Sequence, residues 1–557
     1  MSHFSIGLDY GTSSCRAVIV DLSDGSEVAE AVAPYPSGVD GVVISTELPD
    51  LARQEPADYR SGMEHTLRES LARAKETRAD FDPGDVVGVA FATTGSTPIP
   101  VDIAGVALAD HPRFADRPAA KAWLWKDHTA HEEAARITEL AWEHRPELIR
   151  ACGGTYSAEW FWAKILHCRE EDPEVFEAAY SWVELCDYIV GVLTGTSAPS
   201  ELRRTVTAAG HKAMYADSWG GLPDVEFLAM LDPALADLRE RLYDTAWPAA
   251  RVAGHVTAEW AERTGLVAGT PVAVGHFDAH AAGIAAGAKV GTFVKVMGTS
   301  TCDVTVIEEP APGELPDIPG MCGVVRDSVV PGFIGVEAGQ SAVGDIFNWF
   351  AQTVLGADEP ARALTELGER AASMRAGEHG LLALDWFNGN RSVLVDQRLS
   401  GLIVGLTLRS EPHHILRALV EATAFGARRI LETVEANGTP IDTVVAAGGL
   451  PTNAQWMMQV YADVFGRDIT IASTSQGSAH GAAIVAAVAG GHFESIEAAQ
   501  GALAPAGTDV VRPDTASAAV YDELYADFTT LHDTFAASGA LGPIMKRLLD
   551  IRDGASR

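Results

Sequence analysis

Two stretches of this chain, one in each half, have nearly the same sequence. Residues 6–21 read IGLDYGTSSCRAVIVD and residues 294–307 read VKVMGTSTCDVTVI, with the Gly-Thr-Ser of the first aligned on that of the second. Each copy has an apolar run, a glycine–hydroxyl turn and then a β-branched run, which is typical of two strands joined by a turn. Asp9 aligns with Val296, so only the first copy is acidic. The repeat predicts two related halves that serve one site asymmetrically.

Chain length and the order of elements predict two α/β domains. The 557 residues exceed what one hydrophobic core normally organises. Strand-like runs alternate with helical patterns, including a helix near 411–436, which indicates an α/β fold. The second copy of the repeat begins just after GAKVGTF, which supplies two glycines near 286–292. We therefore expect an N-terminal domain over residues 1–288 and a C-terminal domain over 289–557.

Charge and cysteine usage narrow the class of protein. The chain has 76 acidic and 41 basic residues, a formal charge of −35. Such a surface repels nucleic acid and anionic membranes, so neither is expected as a partner. A phosphate ligand is still compatible, because backbone amides can bind anions. Six cysteines without a C-x-x-C pair, no signal-peptide pattern and no membrane-length apolar run predict a cytoplasmic protein with reduced thiols.

The two turns are candidate phosphate-binding loops. Glycine lets the backbone approach a ligand closely, and successive amides and hydroxyls supply neutral donors. An ordinary hairpin turn explains either copy alone, but a structural turn has no reason to recur with this composition. Asp9 is a candidate to hold Mg²⁺ through water, with a turn cap as the alternative. The chain has no Gly-Lys dipeptide and no G-x-G-x-x-G that opens a helix after a strand, so no Walker loop or Rossmann fingerprint competes.

Asp278 is the candidate catalytic base. It follows an apolar strand and begins an Ala/Gly-rich helix within TPVAVGHFDAHAAGIAAGA. A carboxylate there can accept the proton of a substrate hydroxyl, while the helix N-terminus favours negative charge on an arriving phosphoryl group. An ordinary helix N-cap is the alternative. His276 and His280 flank it with the spacing of a metal pair, but a base explains the carboxylate better.

Two further segments are candidate binding regions. Gly448 and Gly449 follow a strand and precede a helix, so adenine and ribose can lie against the backbone, with Asn453 or Gln455 as hydrogen-bonding partners; a plain turn is the frequent alternative. Residues 85–102, DVVGVAFATTGSTPIPVD, predict a strand, a Gly/Thr/Ser loop and another strand. Beyond that loop, six of the twelve tryptophans fall between positions 123 and 182, as core or as an apolar surface for a sugar.

With these motifs the chain resembles the FGGY carbohydrate kinases from end to end. The paired hairpins resemble the actin/hexokinase/Hsp70 ATPase architecture, and GHFDAHAAGIAAGA, VKVMGTSTCD and PGFIGVEAGQSAVGDIFNWF are similar to FGGY motifs. LWKDHTA and LDWFNGNR resemble the members that act on L-ribulose more than glycerol or xylulose kinases. The resemblance implies two ribonuclease H-like α/β domains that flank a deep cleft for ATP and sugar.

The activity that the resemblance implies is transfer of the γ-phosphoryl group of MgATP to L-ribulose in L-arabinose catabolism, by an enzyme that is compatible with a homodimer. Another ketopentose or pentitol, such as D-ribulose, xylulose or ribitol, is the alternative acceptor. An ATP-driven binding protein and an inactive sugar sensor are the alternatives from other classes. Asp9, Asp278 and the two intact hairpins argue against both.

The resemblance also implies a role for individual residues. Asp278 would be the base and Asp9 the metal-side carboxylate, with Asp278 as a further metal contact. The ATP phosphates would contact Gly11, Thr12, Ser13, Gly298, Thr299 and Ser300, and the adenosine would contact Gly448, Gly449 and Asn453. The sugar would contact Thr94, Gly95, Ser96, Lys126, Asp127, Lys212, Asp278 and Glu337. The chain has only eight lysines, which favours a role for Lys126 and Lys212. The residue at position 96 varies among such kinases, so the pentose preference it helps to set stays open.

Overall fold

The computed structural model describes residues 3–311, 313–472, 476–504, 509–536 and 539–555. They form two halves, each organised around a seven-stranded mixed sheet. The strands of the N-terminal half are β1 Phe4–Tyr10, β2 Ser14–Asp21, β3 Glu27–Pro34, β4 Val43–Ile44, β5 Ala52–Gln54, β6 Val86–Thr93, β7 Pro98–Val101, β8 Ala122–Trp123, β9 Ser181–Glu184, β10 Arg204–Thr205, β11 Ala246–Trp247, β12 Val252–His255, β13 Pro271–Ala273 and β14 His276–Phe277. Its helices are α1 Pro56–Thr77, α2 His131–His144, α3 Pro146–Arg150, α4 Phe161–Glu171, α5 Pro173–Ala178, α6 Leu185–Thr194, α7 Val206–Ala213, α8 Val225–Leu231, α9 Pro233–Arg239, α10 Ala258–Thr264 and α11 Asp278–Ala285.

The C-terminal half follows directly along the chain. Its strands are β15 Thr292–Met297, β16 Thr301–Ile307, β17 Gly323–Arg326, β18 Ile334–Ala338, β19 Leu382–Leu384, β20 Leu402–Val404, β21 Thr443–Ala447, β22 Ile469–Ile471 and β23 Asp509–Val511. Its helices are α12 Gly344–Trp349, α13 Pro360–Ala372, α14 Pro412–Ala436, α15 Gly449–Asn453, α16 Gln455–Phe465, α17 Gly477–Ala489, α18 Ile496–Leu503, α19 Thr515–Phe535 and α20 Gly542–Ala555. Among the described residues, no helix is long and apolar enough to cross a lipid bilayer.

The duplicated sequence forms the same hairpin in both sheets. β1 pairs antiparallel with β2 and parallel with β6, and β15 pairs antiparallel with β16 and parallel with β21. The strand orders are β12-β13-β6-β1-β2-β3, with β14 as the seventh strand paired with β6, and β17-β18-β16-β15-β21-β22-β23. In each turn the glycine N–H donates to a backbone carbonyl of the turn, Gly11 to Ser14 at 3.0 Å and Gly298 to Ser300 at 2.9 Å. The predicted two-half α/β fold is confirmed.

Two small-residue helices join the halves. α17 of the C-terminal half packs against β1 and β6, while α11 of the N-terminal half packs against β15 and β16 and against α17. The approach is close enough to require glycine: a Cβ on Gly481 would fall 1.8 Å from the carbonyl oxygen of Ala281, and one on Gly7 would fall 1.8 Å from that of Ala479. Apolar side chains from both sheets and both helices form one buried cluster there. Because α11 begins at Asp278, this packing also fixes the candidate base.

Candidate active site

A cavity of about 250 Å³ lies between the halves and is lined by residues of both. It contains parts of both hairpin turns, the start of α11 and the loop after β6. The lining residues that the sequence had singled out are Thr12, Thr94, Gly95, Lys212, Asp278, Gly298, Thr299, Ser300 and Glu337. Residues far apart along the chain therefore meet at one cleft.

Asp278 is the first residue of α11, and its Oδ1 accepts a hydrogen bond from the N–H of Ala279 at 2.6 Å. The preceding Phe277 occupies the cap position, so the N-cap alternative does not describe this carboxylate. Burial raises the pKa of Asp278 to about 7, and the negative charge of Asp9 adds to the rise, against the opposing Ala279 hydrogen bond. A base is most effective when its pKa lies near the working pH, and this carboxylate satisfies that condition.

Asp9 is the last residue but one of β1, so that only Tyr10 separates it from the first turn, and 8% of its surface is exposed. Burial raises its pKa to about 6, and the positive charge of Arg16, whose Nε lies 3.5 Å from Oδ2, opposes the rise. The raised pKa values mean that ionisation of either carboxylate is unfavourable in this buried site. A cation that both carboxylates can face would stabilise their ionised forms. The donor set of Asp9 and Asp278 is oxygen only, which suits Mg²⁺.

Lys212 and Glu337 form an ion pair across the cleft. Lys212 lies in α7 of the N-terminal half, and its Nζ is 2.7 Å from Oε1 of Glu337 in β18 of the C-terminal half. His280 Nε2 lies 3.0 Å from the other oxygen, Oε2. Although burial alone raises the pKa of Glu337, the Lys212 ammonium and the His280 hydrogen bond hold it well below its usual range. The cavity thus keeps a fixed cation and a fixed anion that can hydrogen-bond a polyol.

A metal site formed by the histidines explains the structure less well than hydrogen bonding around Glu337 does. His211, His280 and Glu337 have ligand atoms within 4.8 Å of one another. Glu337, however, already pairs with Lys212 on one oxygen and with His280 on the other. His276 does not join this group, because its Nδ1 faces the carbonyl of Phe277 at 3.1 Å. We interpret the cluster as a hydrogen-bonded support for Glu337.

Comparison with known proteins identifies the family. Residues 4–285 match the N-terminal domain, and residues 293–490 the C-terminal domain, of the FGGY family of carbohydrate kinases. The chain belongs to this family. It is 41% identical to a ribulokinase from Shouchella clausii (strain KSM-K16), over 100% of this chain and 99% of that protein, and 40% identical to one from Mycolicibacterium smegmatis, over 100% and 97%.

Solved structures of a xylulose kinase and a glycerol kinase have the same fold. The xylulose kinase from Rhodospirillum rubrum superposes with a TM-score of 0.77 at 27% identity, over 97% of this chain and 99% of that one. The Plasmodium falciparum glycerol kinase with ADP superposes with a TM-score of 0.75 at 16% identity, over 95% and 98%. At that identity the second similarity concerns the fold alone.

The loop after β6 contributes two of its three predicted sugar contacts to this FGGY cleft. Thr94 and Gly95 line the cavity, and a Cβ on Gly95 would fall 2.0 Å from the ring of Phe277. Ser96 is fully buried behind them, where its hydroxyl contacts Glu184. Its carbonyl accepts a hydrogen bond at 2.9 Å from Lys164, whose ammonium also donates to the carbonyls of Trp123 and of Leu124, the first residue of the LWKDH segment. Ser96 therefore supports the loop and does not face the cavity.

The LWKDH segment contributes a residue that the sequence analysis did not select. Asp127 is fully buried in an ion pair with Arg53 and accepts a 2.7 Å hydrogen bond from the N–H of Ala52, so its prediction as a sugar contact is not met in this structure. Lys126 is exposed and also lies outside the cavity lining. Trp125 lines the cavity instead, and its Nε1 donates to Thr12 Oγ1 at 3.1 Å. Of the three adjacent residues Trp125, Lys126 and Asp127, only the tryptophan lines the cavity.

Several predicted nucleotide contacts lie beside the cavity and do not line it. Gly11 and Ser13 belong to the first turn, and the carbonyl of Ser13 accepts a hydrogen bond from Tyr35 at 2.9 Å. Gly448, Gly449 and Asn453 follow β21 near the second hairpin. A Cβ on Gly448 would fall 2.4 Å from the carbonyl oxygen of Met297, so close packing on β15 also requires this glycine.

Other cavity residues had no individual signal in the sequence. The tryptophans divide: Trp123, Trp162 and Trp182 are core, whereas Trp125 and Trp160 line the cavity. The remaining lining residues with functional groups that the sequence analysis missed are Ser157, Glu159, Cys302, Cys322, Arg391, Gln397 and Ser478. Arg391 ends the LDWFNGNR motif, so the resemblance in that motif was the one signal that could have identified it.

Proposed function

We propose that this chain transfers the γ-phosphoryl group of MgATP to the terminal hydroxyl of L-ribulose, giving L-ribulose 5-phosphate. The observation that carries the choice of acceptor is the identity of about 40% to proteins named ribulokinase over nearly the full length of both partners. The family match and the cleft geometry support phosphoryl transfer to a sugar. The alternative acceptors, other ketopentoses or pentitols, are less favoured by these relatives.

In the proposed reaction, Asp278 accepts the proton of the sugar hydroxyl as its oxygen attacks the γ-phosphorus. The bond between that phosphorus and the β–γ bridging oxygen breaks, and ADP leaves with the electron pair. Phosphoryl transfer depends mostly on positioning and charge neutralisation. Lys212 and Glu337 orient the sugar, and the N-terminus of α11 favours the negative charge of the phosphoryl group.

The nucleotide would lie between the two hairpins. The proposed phosphate contacts are Gly11, Thr12, Ser13, Gly298, Thr299 and Ser300, and the proposed adenosine contacts are Gly448, Gly449 and Asn453. Asp9, with Asp278 nearby, would hold Mg²⁺ through water; when bound, this ion supplies charge neutralisation on the phosphates. The gap between the two family matches, 286–292, supports a division into domains 1–288 and 289–557. All six cysteines are unpaired, which supports a cytoplasmic location.

The test is ADP release by purified protein with MgATP across L-ribulose, D-ribulose, L- and D-xylulose, ribitol and glycerol. We expect the highest kcat/KM with L-ribulose. A higher kcat/KM with another sugar would keep the kinase mechanism but reject the acceptor. Absence of sugar-stimulated ADP release with every compound would reject the kinase function.

A further inference from the structure

Two charged residues of the cavity have no part in the mechanism above. Arg391 lies in the loop between β19 and β20 of the C-terminal half, and Glu159 lies just before α4 of the N-terminal half. Arg391 Nη2 is 3.3 Å from Oε1 and 3.5 Å from Oε2 of Glu159. His128 Nε2 lies 3.1 Å from Oε1 of the same carboxylate. The pair joins the halves at the wall of the cavity.

Arg391 and Glu159 are both charged, and neither uses all of its hydrogen-bonding capacity. Burial raises the pKa of Glu159, but the positive charge of Arg391 and the contact with His128 bring it down to about 2. The Arg391–Glu159 contacts are longer than the roughly 2.8 Å of a good charge-assisted hydrogen bond. Within the described part of the chain, the buried Nε of Arg391 has no hydrogen-bond partner. Both residues line the cavity, so the donors of Arg391 and the lone pairs of Glu159 that these long contacts do not use can face a bound molecule.

The pair, Lys212 and the base all line the same cavity. The Lys212 ammonium is 5.6 Å from the ring centroid of Phe277, the residue before Asp278. It is also 5.5 Å from the ring centroid of Trp160, the residue after Glu159. A sugar whose terminal hydroxyl contacts Asp278 and whose middle contacts Lys212 can therefore place its other end against Glu159 and Arg391, within the one cavity that all four residues line.

The hydrogen-bonding chemistry of Arg391 and Glu159 fits the end of a keto sugar that carries the carbonyl group. Arginine only donates hydrogen bonds, and an ionised carboxylate only accepts them. A keto sugar has at the end opposite its phosphorylated hydroxyl a carbonyl, which only accepts, next to a hydroxyl, which can donate. A phosphate group at this end of the sugar is disfavoured because the negative charge of Glu159 would repel it. We propose that Arg391 donates to the carbonyl oxygen and Glu159 accepts from the neighbouring hydroxyl, so that the pair selects ketoses over their reduced alcohols.

This inference rests on the proposed function, and its test compares acceptors within one experiment. The kcat/KM for L-ribulose and for ribitol, its reduced form, is measured in the unchanged protein and in Arg391→Met. Without the arginine the carbonyl is buried unpaired, whereas a hydroxyl can still donate to Glu159. We expect kcat/KM for L-ribulose to fall by about 10- to 150-fold, mainly through KM, because the lost hydrogen bond involves a charged group. For ribitol we expect a change of less than about threefold, so the ratio of the two acceptors falls.

Two more variants keep the test decisive. Arg375→Met removes an exposed arginine that pairs with Glu378, and should leave both acceptors unchanged. Glu159→Gln keeps the shape of the side chain and should raise KM for L-ribulose while ADP binding, measured by calorimetry, stays unchanged. Equal losses for both acceptors, or an unchanged L-ribulose KM in both cavity variants, would overturn the inference alone. Absence of turnover of any ketose by the unchanged protein would overturn the proposed function, and the inference with it.

Discussion

At the scale of single residues, the proposed chemistry depends on the ionisation of Asp278. Its pKa, raised to about 7 by burial and by the charge of Asp9, means that the carboxylate is protonated in acid and cannot accept the substrate proton. We predict that kcat/KM for L-ribulose rises about tenfold per pH unit below pH 7 and levels off above it. The measurement is ADP release between about pH 5 and pH 9, at subsaturating sugar. A profile that is flat through pH 7 would contradict the assignment of Asp278 as base.

Replacing the same residue separates function from stability. In Asp278→Asn we expect kcat to fall by at least about 10²-fold, because the proton acceptor is lost, while ADP binding is retained. The pKa of Asp278 in the folded state lies above its usual value of 3.8, so ionisation destabilises the fold as pH rises from about 4 through 7. The variant should therefore unfold at a higher temperature than the unchanged protein at pH 8, and the difference should shrink at pH 5. A difference that is independent of pH would contradict the raised pKa.

Which side chains face the cavity was only partly predictable from sequence. Lys212 and Glu337 stand out as charged residues in otherwise apolar segments, and the structure brings them together. Asp127 was selected through the same family resemblance, yet an internal arginine, Arg53, pairs with it. Sequence patterns show that a buried charge needs a partner, but not whether the partner is protein or substrate. Apart from the resemblance of its motif, Arg391 had no signal in the sequence, because its partner Glu159 is distant in sequence and lies in the other half.

At the scale of elements, the repeat predicted the two hairpins but not how the sheets are completed. A turn is a local feature, whereas the pairing of β1 with β6, or of β15 with β21, is set by long-range packing. The same limit applies to α11 and α17, whose small residues indicated helices but not that each packs on the sheet of the other half. Glycine in these helices is the feature that permits the arrangement.

A glycine comparison tests this packing. Gly481→Ala places a Cβ 1.8 Å from the backbone oxygen of Ala281, which a side-chain rotation cannot relieve. We predict a loss of about 1–3 kcal/mol in the free energy of unfolding, measured in urea. Gly501→Ala in α18 is the matched control, because nothing lies within 4 Å of its added Cβ. The control should be neutral or stabilising by up to about 1 kcal/mol. Equal effects of the two variants would mean that the close helix contact does not limit stability.

At the scale of the whole molecule, the cleft holds charges from both halves that face each other. Glu337 of the C-terminal half pairs with Lys212 and His280 of the N-terminal half. In the second pair the charges are exchanged, because the positive Arg391 belongs to the C-terminal half and the negative Glu159 to the N-terminal half. In the proposed function, sugar bound between these pairs would contact both halves at once. Binding energy can therefore draw the halves together and exclude water from the phosphoryl group.

Glu337→Gln tests this coupling between the halves. The variant keeps the side-chain volume but removes the negative charge that faces Lys212, leaving a buried ammonium without its counter-ion. We predict that KM for L-ribulose rises by about 10- to 150-fold, since a charged hydrogen bond is lost, while ADP affinity measured by calorimetry stays unchanged. Small-angle X-ray scattering should show that saturating L-ribulose reduces the radius of gyration in the unchanged protein and less so in the variant. Glu378→Gln, on the surface of the C-terminal half, should behave like the unchanged protein. The same sugar-dependent compaction in Glu337→Gln would mean that the halves close through other contacts.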